Sequence, residues 1–443
     1  MLPCGDFHYS IFRLLNMLTK IAASRQKVLY AVGPGLLMAG AAVGVSHLVQ
    51  ATRAGADYGF ALFWLLLLAI ISKYPFMEFG PRYVAATGEH LITGYRKLGK
   101  AAFVTYIGIT LGTMFIIHAA VTVVTAGLAE QLLGVGWSSF TWSALILGGC
   151  ALLLALGRYP ALDLSMKIII TLLTLATFVA VVIALGATPA ADGPRPEPPS
   201  YWNAAGLAFI IAFMGWMPIP LDAAVWHSIW TQERSRQTRH RATPAEARLD
   251  FNIGYGAAGF IGVLFFMLGA LVMFGSGVSF APGSVAFSAQ LIALYSQTLG
   301  SWSVPLISVA AFITMFSTTL AVTDAYPRVF SEITAMMKTP PAHTADAEGH
   351  KRRAYLILLP AIALCALGVL YFLSEQFTFL IDLAAGISFL AAPVLGWFNY
   401  KLLSSAHTPE EHRPGAAYRF FTLGCLAFLV LFTMIWAYWT FIA

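Results

Sequence analysis

Charge is what this chain lacks most. Asp, Glu, Lys and Arg make up 10% of its 443 residues, against about 25% in average soluble usage. Residues 251–323 contain none of the four. Apolar residues reach 59% and aromatics 14%, more apolar surface than a soluble interior absorbs. A soluble globule is excluded, and with it the about three soluble domains that length alone suggests. Cysteine is scarce and scattered: Cys4, Cys150, Cys365 and Cys425 form no CxxC or Cys/His cluster, so neither a zinc site nor a disulfide framework is supported. The signatures of catalysis are missing too. There is no nucleophile elbow, HExxH, P-loop or Rossmann glycine pattern, so neither an enzyme nor a resident cofactor is expected. The net charge of +6 does not imply nucleic-acid binding, because in a membrane protein the location of Lys and Arg matters more than their sum.

What is present is a series of apolar runs of bilayer length, about 20 residues each. They fall at 28–52, 57–80, 101–130, 139–157, 163–188, 202–230, 252–275, 303–327, 354–373, 377–401 and 418–442. The chain is therefore expected to be an all-α polytopic membrane protein of about eleven spans in the bilayer, with a short extra helix over 283–299 at the interface. Arg and Lys collect in alternate connections: Arg82, Arg96, Lys97 and Lys100; Arg234 to Arg248; Lys351 to Arg353; Lys401 to Arg419. The opposite loops hold little beyond Arg195. This pattern predicts a cytoplasmic N-terminus and an external C-terminus in the inner membrane. The first 27 residues lack the apolar core of a signal peptide and are expected to be a cytoplasmic lead-in. The stiff segment 192–199, Asp-Gly-Pro-Arg-Pro-Glu-Pro-Pro, reads as an external linker. The expected units are thus 1–27; helices 1–5 in 28–191; the linker; helices 6–10 in 200–402; and a loop with helix 11 in 403–443.

Two spans carry helix breakers, and they open the two halves. Span 1 contains Gly33-Pro34-Gly35, Gly40 and Gly44-Val45-Ser46-His47. Span 6 contains Gly215-Trp216-Met217-Pro218-Ile219-Pro220-Leu221-Asp222. Either alone reads as an ordinary proline kink. Interrupted helices at matching positions of two halves point to a transporter binding site, where freed carbonyls and helix ends hold an ion or polar solute. Breaks are expected near 42–46 and 214–220.

Residues 33–88 resemble the start of the NRAMP family of proton-coupled divalent-metal transporters. The matching residues are Gly33-Pro34-Gly35, Ala54-Gly55-Ala56, Trp64-Leu65 and Ala86-Thr87-Gly88. Met217-Pro218 and His227-Ser228 are similar to the family's helix 6 motifs. The resemblance implies a LeuT-type fold, two inverted five-helix repeats plus one extra helix, and metal-ion symport. The departures are as informative. Gly44, Val45, Ser46 and His47 stand where the family has Asp, Pro, Gly and Asn, and Ile219 stands where it has His. The usual metal-binding carboxylate is absent.

His47 and Asp222 are the candidate replacements. With the soft thioether of Met217 they form a tentative metal set, supported by carbonyls of Ala41 and Met214. Gly44, Ser46, Trp216 and Trp226 complete the expected substrate-binding residues. His47 also reads as a packed histidine on a backbone carbonyl, and Asp222 as an N-cap. His118 and the hydroxyl run Ser317-Thr318-Thr319 read as structural groups or as lining of a path. Asp324 and Arg328 are spaced for an i,i+4 pair. Lys73 and Glu78 read as snorkelling or paired groups near the inner end of span 2. Asp382 reads as part of an outer gate. The function expected is a secondary active transporter of a small ion or solute, acting as a monomer. A divalent metal is the default substrate. A small organic cation, which the two tryptophans and Asp222 suit, is the alternative, and a non-transporting membrane sensor is the alternative from another class.

Overall fold

The structure, a computed structural model, describes residues 33–157, 159–186, 197–338 and 345–442. The expected lead-in 1–27, the first residues of span 1, Cys4, Arg195 and most of the 192–199 linker lie outside the described residues. Among the described residues fifteen α-helices follow one another: α1 (Pro34–Ala42), α2 (Thr52–Tyr58), α3 (Phe63–Thr87), α4 (Leu91–Leu98), α5 (Lys100–Leu133), α6 (Ser139–Ala155), α7 (Tyr159–Gly186), α8 (Ala204–Trp216), α9 (Ala223–Thr238), α10 (Pro244–Val272), α11 (Ser284–Leu299), α12 (Ser303–Lys338), α13 (Ala345–Leu373), α14 (Phe377–Ser404) and α15 (Ala416–Phe441). No strand occurs among the described residues.

Among the described residues eight helices are long and apolar enough to cross a membrane, or nine if the bent pair α1/α2 is one span. The shorter apolar helices α6 and α8 fall within the expected spans 139–157 and 202–230. The main departure lies in α3. It starts at Phe63 and runs to Thr87, well past the expected end at 80. Pro75 and Pro81 lie inside it, and burial of this segment against its neighbours holds it helical. As a result Lys73 sits in mid-helix rather than at an inner end. The expected helix over 283–299 is present as α11, and it buries Phe287, Leu291, Leu294 and Tyr295.

Helices in lipid gain little from hydrophobic contrast with their surroundings, so close backbone approach matters. The paired glycines serve this. A methyl group added at Gly254 of α10 would strike the carbonyl of Gly35, and one added at Gly55 would strike the carbonyl of Phe266. Both halves of the first span thus ride on α10 through glycine contacts. The start of α1 is tied to α10 as well. Asp250 accepts the amide of Gly33 at 2.9 Å and that of Gly35 at 2.6 Å, which satisfies N–H groups that the first turn leaves free. At the opposite end of this span, Arg53 donates to Asp382 of α14 at 2.9 and 3.3 Å, and Gln50 donates to the same carboxylate at 2.9 Å.

Candidate helix-break site

The first break falls at Val43 and Gly44, where α1 ends and the chain restarts in a π-helical turn, Ser46–Ala51, leading into α2. The two pieces are bent by 47°. Breaking a helix frees carbonyls, and here the protein caps them itself. The Thr318 hydroxyl of α12 lies 3.3 Å from the carbonyl of Gly40 and 3.1 Å from that of Val43. Ser46 Oγ donates to the Ala42 carbonyl at 2.8 Å and lies 2.7 Å from His47 Nδ1. His47 Nε2 is 2.8 Å from the Ala258 carbonyl. A carbonyl only accepts, so Nε2 carries a proton. Both ring nitrogens of this buried histidine are therefore engaged by protein partners.

The second break spans Met217–Asp222, between α8 and α9, with a cis peptide at Met217-Pro218. Its free carbonyls are met by a cation. Lys73 of α3, with no exposed surface, donates from Nζ to the Gly215 carbonyl at 2.7 Å and to the Ile219 carbonyl at 3.3 Å. The C-terminal end of α8 is the negative pole of that helix, so an ammonium is favoured there. The expected snorkelling of Lys73 is thus corrected: its mid-helix position turns the side chain inward, onto the break. Asp222 stands at the N-cap position of α9. Its Oδ1 has no hydrogen-bond partner, while Oδ2 lies 3.5 Å from the Tyr326 hydroxyl of α12. The charges of Lys73 and Asp222 interact.

Between the two breaks lies a cavity of about 30 Å³, room for a water or two. Ala41, Ala42, Val45 and Ser46 wall it on one side, and Trp216, Ile219, Pro220 and Trp226 on the other, with Ile117, Val121, Thr318 and Val322 completing it. Of the expected substrate-binding residues, Ala41, Ser46, Trp216 and Trp226 line this space. Gly44, His47, Met214, Met217 and Asp222 do not. Met217 and His47 meet instead over Gly262 of α10, where an added methyl would lie 2.8 Å from Met217 Sδ and 3.6 Å from His47 Cδ2. Asp222 turns toward Tyr326. The tentative His47–Met217–Asp222 set is thus divided between the α10 and α12 sides of the break. Among the described residues no group of three His, Cys, Asp or Glu is placed to hold a metal. The tryptophans are anchored as well as lining: Trp216 donates to Ser388 at 2.9 Å, and Trp226 packs edge-on against Tyr326 at 5.1 Å.

Three residues outside the expected binding set matter here: Lys73, which read as a snorkelling or paired group; Thr318, from a hydroxyl run that read as structural or as lining a path and that does line this space; and Tyr326, to which the sequence assigns no role. Thr318 explains Gly44: a methyl added at Gly44 would lie 2.7 Å from its hydroxyl and 2.8 Å from its methyl. An aspartate there has no room. Gly44→Asp alone is therefore expected not to improve Mn²⁺ binding. Gly44→Asp with Thr318→Gly, which opens the space, should raise it about tenfold or more, because a carboxylate beside a divalent ion contributes over a kilocalorie even at high effective dielectric. Isothermal titration of both variants checks this, and equal affinities would refute it.

Several other polar groups in the helices pair locally, while His118 Nδ1, both ring nitrogens of His227 and Thr314 Oγ1 have no hydrogen-bond partner among the described residues. Arg328 pairs with Asp324 at 2.6 Å, as the spacing predicts. Glu78 lies 3.5 Å from Arg82 and 3.2 Å from Arg248. His118 Nε2 lies 2.8 Å from the Thr323 hydroxyl. His227 packs 3.9 Å from Asp250.

Two broken helices facing each other across a packed bundle define a multi-pass membrane protein of the LeuT type. Solved structures share this fold. A manganese transporter of Eremococcus coleocola aligns with a TM-score of 0.68 at 15% identity, covering 93% of this chain and 86% of that one. MhsT, solved with L-phenylalanine, aligns at 0.56 and 14% identity, covering 92% and 98%. The family model for natural resistance-associated macrophage protein-like sequences matches residues 35–439, and the chain belongs to this Nramp family. An uncharacterised protein of Pasteurella multocida is 33% identical over 412 residues, 91% of each chain. Metal transporter Nramp6.2 of Populus trichocarpa is 27% identical over 158 residues, 34% of this chain and 28% of its own.

Proposed function

We propose that this protein is a secondary active carrier for a divalent metal ion, bound between the two helix breaks in a site of altered ligands. The observation that carries the reading is the space between the breaks. At about 30 Å³ it has room for a small ion with little of its hydration. Asp222 offers a buried carboxylate with one unpartnered oxygen, and a buried charge calls for a cation. Met217, on the α10 side of the same break, is a soft thioether of the kind that favours transition metals over Mg²⁺ and Ca²⁺. Family membership and the likeness to a manganese transporter support the same substrate class. Without the usual Asp at position 44, Mn²⁺ binding is expected to be weak. The test is uptake of Mn²⁺ into liposomes carrying the purified full-length protein, against empty liposomes. Uptake saturating at high ion concentration supports the reading, and none at any concentration refutes it.

We further read the orientation from the basic residues. The Arg-rich connection between α9 and α10 and the Lys351–Arg353 segment face the cytoplasm of the inner membrane, and the two five-helix repeats occupy 28–191 and 200–402. With an odd number of crossings, reporter fusions should place the N-terminus inside and the C-terminus outside. Both termini on one side would overturn this topology.

A further inference from the structure

Lys73 places its amine in the buried middle of α3, and among the described residues no carboxylate lies within ion-pair distance of it. Such a group is strongly disfavoured unless the surroundings supply negative potential. Here that potential comes from backbone: the Gly215 carbonyl at 2.7 Å and the Ile219 carbonyl at 3.3 Å, at the negative end of α8. Those carbonyls are free only because α8 breaks at Met217. The break that makes the site therefore also makes the seat for the lysine. The charged and titratable groups on the elements packed against α3 can be named. Asp222, on the break, is the one whose charge acts on Lys73. Tyr326 reaches the site through Asp222. Glu78, Arg82, Arg248 and Tyr418 form their own cluster around the Glu78 carboxylate. Asn252 bonds Tyr74, and Asn399 bonds Tyr95 and the Phe76 carbonyl. His227 and Asp250 pack with each other.

We propose that Lys73 is a specificity-determining residue: a tethered cation that fills the carbonyl end of the α8–α9 break and excludes other cations from it. The proposal rests on reading the break region as a cation site. It gives that site a resident competitor. An ion drawn to Asp222, whose charge acts on Lys73, meets the repulsion of the ammonium, and repulsion between close charges in a low-dielectric interior is large. The lysine thus holds affinity for divalent ions low while keeping the carbonyls and Asp222 compensated when no ion is bound.

The experiment has two arms on purified full-length protein. In the first, Mn²⁺ affinity is measured by titration for the wild type, Lys73→Met and Lys73→Arg. Methionine keeps the length and removes the charge; arginine keeps the charge. Lys73→Met is expected to bind Mn²⁺ about tenfold tighter or more, and Lys73→Arg no tighter than wild type. Equal affinity of wild type and Lys73→Met overturns the proposal. In the second arm, thermal stability of Lys73→Ala is followed with methylammonium chloride against tetramethylammonium chloride at equal concentration. The shortened side chain leaves a hole beside the carbonyls that a small primary ammonium fits. Methylammonium should raise the melting temperature of Lys73→Ala and leave the wild type unmoved; no selective rise overturns the proposal. If neither wild type nor Lys73→Met binds Mn²⁺, the metal reading falls, and the methylammonium result then decides the role of the lysine. If Lys73→Ala does not fold, the Met and Arg variants decide it through Mn²⁺ affinity.

Discussion

Replacing Asp222 by asparagine should abolish Mn²⁺ uptake while leaving a folded protein. The side chain is 6% exposed, and its Oδ1 has no partner, so little structure depends on that oxygen. Its charge is another matter. A unit charge a few ångströms from an ion contributes about 3 kcal/mol at an effective dielectric near 20, which corresponds to about 100-fold in affinity. Asparagine keeps the shape and can still accept from Tyr326. Uptake by Asp222→Asn in liposomes should therefore fall about 100-fold or more, with the melting temperature little changed. Undiminished uptake would remove Asp222 from the site. A parallel loss of folded protein would mean that the carboxylate acts by compensating Lys73 rather than by holding the substrate.

Gly55→Ala should have a large effect on folding. The added methyl would overlap the Phe266 carbonyl and lie 2.7 Å from the Ala270 amide nitrogen. Both are backbone of α10, which cannot turn aside as a side chain would. Overpacking of this kind costs up to about 3 kcal/mol, a large share of a marginal total. Gly112→Ala is the control, because an added methyl there meets nothing within 4 Å. Size-exclusion profiles of the two variants should differ sharply, with folded protein lost only for Gly55→Ala. Equal profiles would mean that α2 and α10 can separate without penalty.

Much of the architecture could be read from the chain because bilayer crossing imposes a length and an apolar composition. Both breaks were legible too, since glycine and proline punctuate helices wherever they occur. Gly44 and Pro218 sit where the helices part. What was not legible depends on which way a side chain points. His47 read either as a ligand or as a packed histidine on a backbone carbonyl, and only the fold shows the second, on Ala258. Lys73 was placed at a helix end because α3 was drawn too short. The run Gly80-Pro81 reads as a terminus, but packing against α9 carries the helix on to Thr87. Thr318 lies far from Gly44 in sequence, and nothing in a single chain announces that its side chain fills the space of a missing carboxylate.

The juxtaposition of Lys73 and Asp222 has a consequence for the membrane field. One ammonium and one carboxylate sum to no net charge, so the unloaded site carries none through the bilayer when the bundle reorients. A bound divalent cation adds two. Each elementary charge moved across the whole field is worth about 2.3 kcal/mol per 100 mV. On the proposed reading of the break as a divalent-cation site, the membrane potential would act on the loaded step and not on the return of the empty protein.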